Sequence, residues 1–160
     1  MEFTSFLDAA AHCAKLALAQ HEADKSALER ATKLLQKKVK EKFGTYQPEA
    51  GPFVAWAELA ESTKHDRERQ GYTENDPLER SGALRESVER DVADSEGHVG
   101  SDSDVAVYQE LGTKNMPPRS TFGSAAVENL DNVRQIVGEE AVAALVGEQV
   151  FQGRIEIEGE

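Results

Sequence analysis

Few side chains in this chain stand at spacings that could do chemistry. Ser101-Asp102-Ser103-Asp104 places carboxylates at alternate positions, as calcium loops do. It lacks their third acidic position, the glycine at six and the glutamate at twelve, so it reads as a solvated turn. His12, His21, His65 and His98 are scattered, and none stands at metal-ligand spacing from a cysteine or a second histidine. There is no Walker loop, no GxSxG and no GxGxxG. The twenty-four acidic residues after position 44 give so many accidental pairs that a two-carboxylate hydrolase site cannot be told from surface charge. Binding or assembly is therefore favoured over catalysis, and no cofactor or metal is expected.

Two features could make contacts. Lys33, Lys37, Lys38, Lys40 and Lys42 form a basic run with Phe43 as its sole aromatic neighbour; such a run could touch phosphates, but its plainest form is a solvated helix face. The second feature is YQELGTKNMPPRSTFGSAA, Tyr108 to Ala126. Gly112 can take φ > 0 and end a short helix, while Pro117 and Pro118 force an extended approach to the next one. Arg119 is then either a rigidly presented cation or a member of an internal ion pair, and residue physics alone does not choose.

Composition bounds these readings. A chain of 160 residues has single-domain size and hides roughly 70% of its unfolded surface, enough for one core. Cys13 is the sole cysteine, so no intrachain disulfide can form, and its alanine-rich helical surroundings predict a small packed hydrophobe. The net charge of −12 opposes broad binding to duplex DNA. Charge is uneven: residues 1–44 hold eight Lys/Arg against six Asp/Glu, a net of +2, and residues 45–160 hold ten against twenty-four, a net of −14. A basic arm on an acidic body suggests self-association or a charged partner. MEFTSFLDAA has no basic leader-like region, and no apolar run approaches the roughly 18 residues of a membrane span. A soluble, unprocessed chain with no membrane partner is expected.

Helical spacing runs from Phe3 through Leu18 and resumes from Leu28 to Val39, predicting one long helix or two with a weak joint. Unbroken over residues 4–43 it would reach roughly 60 Å, against about 40 Å for a compact domain of this length, so it must bend or protrude. Gly44 is a plausible cap. TYQPEAGPF is a loop; Phe53 to Gln70 carries Trp56 and Leu59 on an apolar face that fades after Ala60, leaving Ser62 to Gln70 a solvated helix or loop. A helical turn at Ala83 to Glu86 precedes strands near Ser87 to Ala93 and His98 to Ser101. A short helix covers Val105 to Leu111. A longer one, capped by Ser120 or Thr121, bears Phe122, Ala126, Leu130, Val133 and Val137 until Gly138 interrupts it. Glu139 to Val146 is a further helix, and RIEIE alternates like an edge strand. The whole is one domain: a helical arm over 1–44, a core over 45–137, and a C-terminal helix with a possible edge strand over 138–160.

The order of blocks supplies a resemblance. PLERSGALRES (Pro77 to Ser87), HVGSDSDVAVYQELGT (His98 to Thr113) and MPPRSTFGSAA (Met116 to Ala126) resemble, in sequence, elements of the tail-completion and head–tail joining proteins of tailed bacteriophages. WAELAESTKHDRERQG (Trp56 to Gly71) is similar to the block that precedes them in the related virion-morphogenesis proteins. The match covers roughly residues 54–130. It departs at Val105-Ala106-Val107-Tyr108, where Tyr-Ala is frequent, and at Gly123, where a leucine is usual; the segment after Gly138 matches nothing in the family.

The resemblance implies an α+β fold, with a long N-terminal helix packed on a small antiparallel sheet and further C-terminal helices. It implies a structural neck protein, not an enzyme, that forms a ring with itself and contacts other neck, connector or tail-tube proteins. DNA would pass through without specific binding, which a carboxylate-lined passage favours. The location would be the virion's head–tail junction, after synthesis in the host cytoplasm. The interaction candidates are Tyr108, Glu110, Gly112, Thr113, Pro117, Pro118, Arg119 and Phe122 around the elbow, and Lys33, Lys37, Lys38 and Lys40 on the arm. The alternative is an acidic DNA mimic or regulatory protein that occupies a basic partner.

Overall fold

The computed structural model describes residues 6–93 and 95–146. Helix α1 spans Phe6–Glu41 without a joint. No proline or glycine falls within it, so the polar HEADKS stretch costs the helix little. At 1.5 Å per residue it is about 54 Å long. It is not an arm along its whole length: its second half is the centre of the core, and most of the side chains described in its first half are exposed. Gly44, at φ +83°, closes the turn that follows, and its N–H reaches the Pro77 carbonyl at 2.9 Å.

The core joins Val39 and Phe43 of this helical segment to Val88 and Ala125, with Leu78, Leu84, Val99 and Phe122 around them. After α2 (Glu61–Arg69) and the single turn α3 (Ala83–Glu86), strands β1 (Glu89–Ala93) and β2 (Glu96–Gly100) form a two-stranded antiparallel sheet with Asp91 opposite His98. The period of two puts Val92 and Val99 on the face that meets α1, and Glu89, Asp91, Glu96 and His98 on the other. Gln36 donates to the Val88 carbonyl at 2.9 Å and ties the sheet to the helix.

Three helices follow: α4 (Asp104–Leu111), α5 (Phe122–Glu128) and α6 (Leu130–Val146). Helix α6 lies antiparallel to α1. Arg30 reaches Glu140 at 2.6 Å and Glu139 at 3.3 Å; at the other end the buried Lys42 ammonium meets Glu128 at 2.7 Å. The contacts with Glu140 and Glu139 raise the Arg30 pKa, chiefly through the Glu140 hydrogen bond and against the cost of burial.

The α+β architecture is as expected, with local corrections. Gly138 does not interrupt a helix. The break falls at Asn129, whose buried side chain donates to the Ala125 carbonyl at 2.8 Å and competes with continued helical bonding. Residues 53–60 are not helical; Trp56 is buried from an extended segment, its indole N–H on the Ser120 carbonyl at 3.2 Å. Cys13 is exposed, not packed. Its turn of α1 lies well beyond the level of Ser26 and Arg30, where Glu140 docks. The RIEIE segment lies outside the described residues. No helix among the described residues is long and apolar enough to cross a membrane.

Candidate interaction surface

The corner between α4 and α5 is organised by one carboxylate. Glu110 Oε1 accepts from the Ser120 hydroxyl at 2.5 Å and from the Gly123 N–H at 2.9 Å. Its Oε2 accepts from the N–H groups of Thr121 and Phe122 at 2.7 and 3.1 Å, and from the Thr121 hydroxyl at 3.3 Å. These are the amides that the first turn of α5 leaves without helical partners, and a negative charge there complements the helix dipole. Ser120 completes the cap by accepting the Ser124 N–H at 3.1 Å. The expected Ser120 capping is present; Thr121 supplies no cap of its own.

The connection from α4 to α5 is a closed loop. Gly112 has φ +74°, and a Cβ there would stand 2.9 Å from both the Met116 carbonyl oxygen and the Pro118 nitrogen, so no other residue fits the turn. Thr113 and Met116 exchange backbone hydrogen bonds at 2.8 and 3.2 Å, and the Arg119 N–H closes the loop on the Gln109 carbonyl at 2.6 Å. Thr113, Pro117 and Pro118 are held exposed at its tip.

Arg119 is not a presented cation, and it has no ion-pair partner among the described residues. It is 5% exposed, and its guanidinium donates to the Ala57 carbonyl at 2.9 and 3.3 Å and to the Glu58 carbonyl at 3.2 Å. Burial lowers its pKa, with Tyr46 opposing. Residues 54–59 offer carbonyls that no described backbone N–H uses, and a long side chain with a forked donor set satisfies two of them. Phe122 also turns inward, onto the core. Gly123 lies under the Phe53 ring; a Cβ would come within 2.3 Å of it, so Phe53 fills the space a side chain there would need.

What remains outward is apolar. Val107, Tyr108 and Leu111 are 51%, 53% and 74% exposed, and their spacing places them on one side of α4, running into the Thr113–Pro118 loop. Val107 and Leu111 were not among the expected contacts. The sequence does carry the signal: Val105, Val107, Tyr108 and Leu111 make α4 apolar over too much of its circumference for a helix that buries Ala106 alone.

The basic run divides. Lys33, Lys37 and Lys40, at spacings of four and three, line the outer face of α1, opposite buried Ala31 and Val39. Lys37 and Lys38 share Glu41 at 3.7 and 2.9 Å, while Lys42 is withdrawn to Glu128. Hydrogen bonding from Lys38 holds the Glu41 pKa below its ordinary value. The basic stripe and the α4 stripe therefore belong to separate surfaces. No family model, curated protein or solved structure matches this chain.

Proposed function

We propose that this chain is a structural protein of a tailed bacteriophage that completes the tail and/or joins it to the DNA-filled head, working as one of a ring of identical subunits and not as an enzyme. The observation that carries the reading is the exposed apolar stripe Val107, Tyr108 and Leu111, continued by Pro117 and Pro118 on a loop anchored by Glu110 and Arg119. A rigid apolar surface of this kind binds without the entropic cost of ordering a loop. The order of sequence blocks between residues 54 and 130 and the α+β architecture support the same reading.

Charge placement fits a ring. The outer face of α1 presents Lys33, Lys37 and Lys40, and the outer face of the β1–β2 hairpin presents Glu89, Asp91 and Glu96. Different patches of opposite sign on one subunit suit head-to-tail contacts that close by rotation. The same acidic hairpin face favours the second reading, a DNA mimic, which would act as a monomer and displace DNA from a basic partner.

The test is assembly. Tyr108→Glu combined with Leu111→Glu changes exposed positions, so far-UV circular dichroism should stay unchanged while the yield of joined heads and tails falls by at least about tenfold. Wild-type joining by that variant, or particle images without repeated copies at the head–tail junction, would overturn the proposal.

A further inference from the structure

A second feature lies away from the α4 stripe. Between α2, the Leu78–Leu84 segment and α4 is a cavity of about 500 Å³, open to solvent on one side. Its walls include Leu59, Leu78, Leu84 and Val105, and two of its lining residues are arginines that are almost wholly buried, Arg67 at 4% and Arg119 at 5% exposure. Neither has a carboxylate partner among the described residues. Arg67 donates from Nε to the Thr73 carbonyl and from Nη2 to the Glu79 carbonyl, both at 2.7 Å, and Arg119 uses Nε and Nη2 on Ala57 and Glu58. Neither Nη1 group has a hydrogen-bond acceptor among the described residues.

A chain with thirty acidic residues thus buries two positive charges, and no described carboxylate pairs with either, whereas buried charges are ordinarily paired. The neighbouring Arg80 shows the contrast: it meets Asp66 at 2.8 Å and stacks over Tyr72. The Glu79 carboxylate is directed to Gly82 and Arg85, 3.9 Å from the latter. The same cavity contains a third unfilled valence, because the Gln109 Oε1 is buried with no hydrogen-bond donor.

We propose that this cavity binds the free C-terminus of a partner polypeptide ending in an apolar residue. The terminal carboxylate answers the two guanidinium groups, which bind carboxylates through paired N–H donors. The terminal residue's own N–H supplies the donor that Gln109 lacks, and its side chain covers Leu59, Leu78, Leu84 and Val105. Inorganic phosphate would leave the apolar wall wet, and a simple fatty acid brings no N–H. Such a pocket would bind a terminus whether or not the chain works at a phage neck, so the failure of either proposal leaves the other standing.

The full chain, ¹⁵N-labelled, is titrated with acetyl-Ala-Leu-Leu as free acid, with the same peptide as its C-terminal amide, and with decanoate. The free acid should shift the Leu84, Val105 and Gln109 amides saturably and bind at least about tenfold more tightly than the amide. Val105→Glu sits at a half-exposed wall position, so it should fold normally and lose the free-acid peptide by repulsion; Gln109→Leu should weaken that peptide and leave decanoate unchanged. Equal affinity for acid and amide, no saturable shift, or decanoate binding as tightly as the peptide would overturn the proposal.

Discussion

At the corner between α4 and α5, one carboxylate accepts five hydrogen bonds and one guanidinium donates three. In the first half of α1, Ala10, Ala11, Cys13, Ala14, Ala17 and Leu18 stand exposed. Both regions are helical or end in helices. The arm is helical because alanine, leucine, lysine and glutamate tolerate a helix with no tertiary help. Helix α5 has seven residues, two of its positions being glycine and serine, too few to persist alone. It exists because a side chain from a different helix fills its first turn. Local propensity and tertiary hydrogen bonding can therefore produce the same element, and they respond differently to substitution.

The largest expected effect lies at the corner. Glu110→Ala leaves three amide groups and two hydroxyls without their acceptor and should cost about 3–5 kcal/mol of unfolding free energy, read from denaturant midpoints; Glu110→Gln, which keeps one acceptor oxygen, should lose less. A loss below about 1 kcal/mol for the alanine variant would mean that α5 is held by packing alone.

Arg119→Ala comes next. Had Arg119 been a presented cation, the change would have been nearly neutral. Its burial against the Ala57 and Glu58 carbonyls predicts instead a loss of about 2–4 kcal/mol, from unpaired acceptors and a cavity together. An unchanged thermal midpoint would show that extended residues 53–60 keep their place without it.

The smallest effect belongs to the arm. Leu18 is 61% exposed, so Leu18→Ser should change subunit stability by no more than about 0.5 kcal/mol. A destabilisation several times larger, measured on the monomer by denaturant titration, would mean that the arm is packed in solution and would erase the contrast with the corner.

Much of this was legible along the chain. The helical period of α1, the Gly-bounded hairpin, the turn at Ala83–Glu86 and the α4 boundaries follow from local signals, and the structure places them within a few residues of expectation. The misreadings share a cause. Gly138 is a weak helix former that the remaining turns of α6 tolerate, while Asn129 breaks the helix by bonding back to Ala125. Trp56 suggested a helical face because its burial by Ser120, sixty-four positions away, has no local trace. For Cys13 the apolar pattern was read correctly, but a pattern does not say whether any neighbour packs against it.

The candidate surface shows the same division. Gly112 was readable because a glycine between a helix and a Pro-Pro segment has few other uses, and Tyr108, Thr113, Pro117 and Pro118 are exposed as that turn requires. Glu110, Arg119 and Phe122 were identified as contact candidates, yet all three point inward. The sequence by itself determined the backbone course through this corner, since glycine and proline restrict φ and ψ wherever they stand. Only the tertiary structure decided which way its charges face. A carboxylate or guanidinium goes to whatever unpaired donor or acceptor the fold brings within about 3 Å, and those partners lie ten to more than sixty residues away in the chain.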